Sequence, residues 1–183
     1  LQHPLTLRIF CEVANPRRQH VVGVEALPNS LASLFEEHFN RVADRIAELS
    51  PTARRIYPEE VQDALLTIAG LLWESNARSV EFKAARAAVR DVGPWEVSVI
   101  RALESEGILV RTTSGEGGQG IAFAYDLMAG HMIARHLLYK PDLAQWLRSD
   151  EGHAKLQFRA SGSHTFAFDV FRALVGLYPQ HLG

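Results

Sequence analysis

Between residues 31 and 49, apolar side chains recur at Leu31, Leu34, Phe35, Val42, Ile46 and Leu49, while Glu36, Glu37, Arg41, Asp44 and Arg45 fall mostly off that stripe. Steps of three, four and seven residues predict one long amphipathic helix. Asn29 or Ser30 supplies its N-cap, because a short side-chain oxygen can satisfy a free N–H of the first turn. Ser50-Pro51 stops it. Upstream, Pro4 to Val13 predicts a helix that Pro4 opens, since the first helical N–H has no partner to lose. Leu7, Phe10 and Cys11 read as its apolar face, Asn15-Pro16 as its end, and Arg17 to Pro28 as a loop with an extended stretch at Val21-Val22.

From Tyr57 the elements shorten. Pro58, Glu59 and Glu60 open a helix through Val61, Leu65, Ile68, Ala69, Leu72 and Trp73, the acidic first turn suiting the helix dipole. Ser79 to Phe82 reads as a short strand, and Lys83 to Val92 as a helix broken by Gly93-Pro94. Pro94 starts another helix through Val97, Ile100 and Leu103 to Glu106, closed by Gly107. Ile108 to Thr113 and Ile121 to Tyr125 are strands around the glycine-rich run 114–120, which predicts a hairpin. Helix, short strand, helix, helix and β-hairpin is the order of a winged helix. Helices follow from Asp126 to Tyr139, from Pro141-Asp142 through Leu147, and from His164 to Leu177 with an end at Pro179, whereas Gly152 to Gly162 has no decisive pattern. The expected fold is therefore mainly α. It comprises a helical subdomain (residues 1–53), a winged-helix domain of three helices and a β-hairpin wing (54–139), and C-terminal helices (140–183).

Composition narrows the setting more than the function. A net charge of -2 gives no general pull toward nucleic acid or an anionic membrane. Cys11 is the single cysteine, so no internal disulfide can form. Nothing resembles a signal peptide, and no apolar run is long enough to span a bilayer, so the expected location is the cytoplasm, without membrane association. Because Leu1 comes first and the methionines are Met128 and Met132, the chain is read as starting inside a longer protein.

Candidate chemistry is sparse. A phosphate loop needs a Lys-Ser or Lys-Thr pair opening a helix, whereas Gly120 leads into a strand with no lysine nearby; the glycines read as a wing tip. A winged helix can place its third helix in a DNA groove, but this one carries Glu96, Glu104 and Glu106 against Arg101, with Glu116 and Arg111 in the hairpin. Duplex affinity rests on unpaired Lys and Arg, so direct DNA binding is not expected. His131 and His136 lie five apart, about 500° around a helix, and point apart. The histidines are read as solvated or boundary residues, and Cys11 as a core thiol. Glu36-Glu37 and Glu59-Glu60 read as a solvated face and a helix start. Arg17-Arg18 and Arg54-Arg55 read as solvated loop pairs, with sensing of a nucleotide in a neighbouring domain as the functional alternative.

Two stretches carry a resemblance. His3-Pro4-Leu5-Thr6-Leu7-Arg8-Ile9-Phe10-Cys11-Glu12 resembles the segment of STAND NTPases, the NACHT-like class, that follows the nucleotide-binding core and begins the helical subdomain. Phe123-Ala124-Tyr125-Asp126, continuing through Gly130 to Leu138, is similar to the winged-helix end of that class, and most closely to its bacterial antiviral members. Phe168 to Val175 is similar to the start of their sensor region. The resemblance implies that Pro4, with His3, meets the adenine of bound ATP or ADP, and that Tyr125 faces the nucleotide. It places Walker motifs and Mg in an NTPase core N-terminal to Leu1. It also implies a C-terminal sensor region, a phage protein as trigger and homo-oligomerisation on activation. Two positions depart from the pattern: Gly130 stands where the family has an acidic residue, and Tyr125 where animal members have histidine. Without the resemblance, Pro4 simply opens a helix and Tyr125 fills a core. The rival functions are a DNA-binding winged-helix regulator and a protein-interaction scaffold; an independent enzyme is the least favoured.

Overall fold

The computed structural model describes residues 4–15, 28–51, 54–91, 93–113, 118–157 and 162–182. Among them are nine α-helices and a small three-stranded sheet: α1 (Pro4–Ala14), α2 (Leu31–Leu49), α3 (Pro58–Ser75), β1 (Val80–Glu81), α4 (Phe82–Ala88), α5 (Val99–Ser105), β2 (Leu109–Thr113), β3 (Gln119–Phe123), α6 (Asp126–Leu138), α7 (Leu143–Leu147), α8 (Asp150–Leu156) and α9 (Ala167–Leu182). The predicted mainly α fold, with a hairpin after the fifth helix, is what these elements form.

Each well-patterned stretch has a local cause for its ends. Ser30 caps α2 reciprocally: Ser33 N–H donates to Ser30 Oγ at 3.0 Å, and Ser30 N–H to Ser33 Oγ at 3.1 Å. Pro58 occupies the first turn of α3 with Glu59 and Glu60, and Asn76 ends the helix in the left-handed region. The strands are antiparallel in the order β1-β3-β2, with Val80 and Arg111 both registered on Ile121. Ile121 is buried, whereas Arg111 is exposed at the sheet's outer edge.

Four local readings are corrected. Helix α1 buries Leu5, Thr6, Ile9 and Val13, a four-residue stripe facing α2, so Leu7 and Cys11 are exposed and Cys11 is not a core thiol. Helix α4 ends at Ala88, because Arg90 turns left-handed and Asp91 N–H closes back onto the Arg86 carbonyl at 2.9 Å. The predicted helix from Pro94 is split into a 3₁₀ turn (Trp95–Val97) and α5. Ser98 divides them: its hydroxyl donates to the buried Asp91 carboxylate and accepts from Arg101 N–H at 3.2 Å. Finally, α9 runs through Pro179, where the lost backbone bond falls on a solvent-exposed side shared with Val175. The undecided segment from Gly152 belongs largely to α8, which Ser149 caps.

Helix α6 is enclosed on several sides. Met128 to Ala134 are all buried, which an amphipathic surface helix would not permit. Its most extensive partner is α9, and the crossing depends on Gly130. A Cβ there would press on Asp169, 2.7 Å from its carbonyl carbon, so backbone rather than a flexible side chain would have to move. The approach to α9 is fixed by the His164 ring, whose Nε2 lies 3.1 Å from the Trp73 carbonyl, and by Thr165 N–H donating to Asn76 Oδ1 at 2.9 Å. One hydrophobic cluster runs from Leu5 of α1 through α3 and α6 to Leu177 of α9.

Gly130→Ala weighs two opposing effects. The gain in helix propensity is about 1 kcal/mol, and overpacking costs about 1–3 kcal/mol. With helix backbone as the obstacle, overpacking should win. Urea denaturation is expected to give a net loss of about 1–2 kcal/mol.

Candidate functional site

Pro4 is the first residue of α1 and is exposed, whereas His3 lies outside the described residues. Tyr125 sits where β3 ends and α6 begins. Its backbone is extended (φ -142, ψ 139), and its carbonyl accepts the N–H groups of Met128 at 3.0 Å and Ala129 at 3.1 Å. The preceding strand buries Ile121, Ala122 and Phe123, but Tyr125 keeps 40% of its surface exposed. It therefore does not fill the core, and its ring is open to a ligand or a neighbouring domain.

Arg8 connects the two positions. It lies one turn beyond Pro4 and donates from Nε to Glu12 Oε1 at 2.9 Å. Glu12 raises the Arg8 pKa through that hydrogen bond and its charge, burial works weakly against it, and the Tyr125 hydroxyl adds a smaller upward push. Arg8 and Tyr125 are thus within electrostatic reach of one another.

Behind this edge lies a polar seam with no signature in the sequence pattern. His131 of α6 is buried against the rings of Phe35 and Phe39, with centroids 5.3 and 5.8 Å away. Its Nε2 lies 2.8 Å from Glu36 of α2. Arg135, one turn on, reaches the same carboxylate at 3.2 Å and donates to Gln62 of α3 at 2.9 Å. Burial holds His131 below its ordinary pKa, so the neutral ring donates from Nε2. Burial alone would raise Glu36, but the His131 hydrogen bond and the neighbouring charges outweigh it and leave the carboxyl below its ordinary range. A second set of contacts joins α1, α2 and the end of α5: Glu12 lies 3.8 Å from the buried His38, and Arg45 is ion-paired with Glu106. The histidines were expected at the boundary, yet His38, His131 and His164 are buried. His38 falls on the apolar stripe of α2 between Leu34 and Val42, a signal the sequence does carry, whereas His131 and His164 are buried by rings distant in sequence.

The remaining candidates separate from this edge. A groove of about 860 Å³ runs along α3, and neither Pro4 nor Tyr125 lines it. Arg54 donates to the Val97 carbonyl at 3.2 Å and pairs with Glu60, while Arg55 lies over the Tyr57 ring. Arg17 and Arg18 lie outside the described residues, as does the turn at 114–117. Among the described residues no group of three His, Cys, Asp or Glu side chains could hold a metal ion, and no helix is long and apolar enough to cross a membrane. Arg111 of the hairpin is bound by Glu104 at 2.8 Å and stacks over Phe82 and Trp95 at 3.9 and 4.6 Å. No family model, curated protein or solved structure matches the chain.

His38, His131, His136 and His164 are each held below the ordinary histidine pKa, burial being the largest cause in every case. The unfolded chain therefore binds more protons than the folded one as pH falls through about 6.5. Their contribution is fully present above that pH and is lost toward the lower folded-state values. Asp169 is shifted the other way by burial and by Asp126, but its effect belongs to the carboxylate range. Calorimetry should show the melting temperature falling between pH 7.5 and 5.5; a flat profile there would contradict the buried neutral rings.

Proposed function

We propose that this chain is the regulatory lid and winged-helix portion of a STAND-type NTPase, closing over bound ATP or ADP and coupling ligand sensing to oligomerisation in anti-phage defence. In this reading residues 1–53 follow the nucleotide-binding core, 54–139 form the winged helix, and 140–183 lead into the sensor region. The observation that carries it is the exposure of Pro4 and Tyr125 at the starts of α1 and α6, with Arg8 of α1 within electrostatic range of Tyr125. The element order and the edge pairing of β1 on the hairpin support the winged-helix assignment.

The chain has no Gly-Lys-Ser or Gly-Lys-Thr sequence, so phosphate binding and Mg belong to a core supplied by the rest of the protein. What this chain contributes is closure. Pro4 presents a compact apolar ring to the base, Tyr125 presents a phenol, and Arg8 presents a cation that must be shared between Glu12 and the nucleotide. A lid of this kind shifts the open–closed balance only as far as nucleotide binds the closed form more tightly. By the same linkage, a phage protein captured by the sensor and favouring the open form weakens nucleotide binding.

The departure at Gly130 has a physical account in this reading. An acidic side chain there would collide with the α9 backbone at Asp169, so the close α6–α9 crossing excludes it. The DNA-binding alternative gains little support, because Glu104 engages Arg111 and Glu106 engages Arg45, taking up two of the cations beside α5. In the full-length protein, Tyr125→Ala combined with Pro4→Ala should weaken ADP binding about tenfold by titration calorimetry, or about 1.4 kcal/mol. Tyr139→Ala, at the far end of α6 and 70% exposed, serves as the control and should leave the affinity unchanged. Unchanged affinity in the double variant would remove the basis of the lid.

A further inference from the structure

A groove of about 860 Å³ along α3 lies apart from the proposed nucleotide edge. Its floor is largely apolar, including Ala64, Leu71 and Val99, and the His136 ring of α6 lies against Gly70. A Cβ at Gly70 would come 2.7 Å from that ring, so glycine is what leaves room for the ring here.

The charges around this floor are unevenly matched. Arg54 is paired with Glu60, and Asp91 is engaged by Ser98 and Arg86. Asp63, Glu74 and Arg90 are exposed and make no side-chain hydrogen bond or ion pair with the described residues. Asp63 and Glu74 stand eleven positions apart on α3, which returns them to nearly the same face about 16 Å apart along the axis. Glu74 also lies within electrostatic range of His136 and His164.

Arg90 supplies an independent observation. It occupies the position after the α4 cap with φ 58, a left-handed conformation in which glycine is the usual residue. An unfavourable backbone position held by a side chain that bonds to none of the described residues points to a role outside them.

We propose that this groove docks a helical segment of a partner protein. The segment lays an apolar stripe on the α3 floor, brings a Lys or Arg to Asp63 and another to Glu74, and offers a carboxylate to Arg90. A straight floor about 16 Å long suits about three turns of a helix. Two unmatched negative charges against one positive charge call for a segment with net positive charge. This assignment is independent of the nucleotide reading, because neither Pro4 nor Tyr125 lines the groove.

The test uses a synthetic amphipathic helical peptide of about 18 residues, or five turns. It carries a leucine stripe, two lysines eleven positions apart on that face and one glutamate, and its binding to the protein is read by fluorescence anisotropy. A second peptide has glutamates in place of the lysines. The lysine peptide should bind the unaltered protein, and Asp63→Lys with Glu74→Lys should weaken it at least about tenfold. The glutamate peptide should recover binding on that double variant. Arg90→Gly should weaken the lysine peptide while leaving the melting temperature unchanged or raising it, which separates a binding role from a folding one. If the two peptides bind the unaltered protein alike, or neither binds, the proposal fails. Concentration-dependent self-association in sedimentation, abolished by the same charge reversals, would instead assign the groove to a second copy of the chain and overturn the partner reading.

Discussion

Seven consecutive buried residues in α6, Met128 to Ala134, cannot be satisfied by a single packing partner. The helix has to be enclosed, and the rest of the fold follows from how this is done. Helix α2 supplies Phe35, Phe39 and Glu36 around His131; α3 supplies Gln62 for Arg135 and Gly70 under His136; α9 closes the last side across Gly130. The polar members, His131, Glu36, Arg135 and Gln62, are bonded to one another rather than simply buried, because an unbonded polar group inside carries an uncompensated desolvation cost.

This enclosure gives the exposed edge its rigidity. Tyr125 caps the start of α6, so every contact that fixes α6 also fixes the backbone from which its side chain projects. Helix α1 is held on α2 by the Leu5, Ile9 and Val13 stripe, and α2 is tied to the same buried histidine. The proposed nucleotide edge is thus assembled from two helix starts with a common support. A ligand that moved one relative to the other would have to disturb the α2–α6 seam, which is a discrete, bonded contact rather than a soft one.

Much of the fold was legible because its strongest signals are local. The spacing from Leu31 to Ile46, the Pro58-Glu59-Glu60 start and the two strands around the glycine run each specify an element without reference to anything distant. What could not be read depends on tertiary partners. The face α1 buries is chosen by α2: local spacing points Leu7 and Cys11 inward, whereas the Leu5–Ile9–Val13 stripe faces the core. Ser98 splits the helix after Pro94 because Asp91, seven residues earlier, is buried beneath it. Burial of His131 depends on an aromatic pair 92 to 96 residues away in sequence. Of the expected site, Tyr125 and Pro4 were found by resemblance alone; Arg8 emerged only once the helices were packed.

The most direct measurement is hydrogen–deuterium exchange of the full-length protein with and without ADP. The account predicts added protection in two places that are distant in sequence, the first turns of α1 and the start of α6 around Tyr125, with the α3 groove unchanged. Protection confined to other regions, or none at either helix start, would contradict the claim that these two elements form one nucleotide-facing edge.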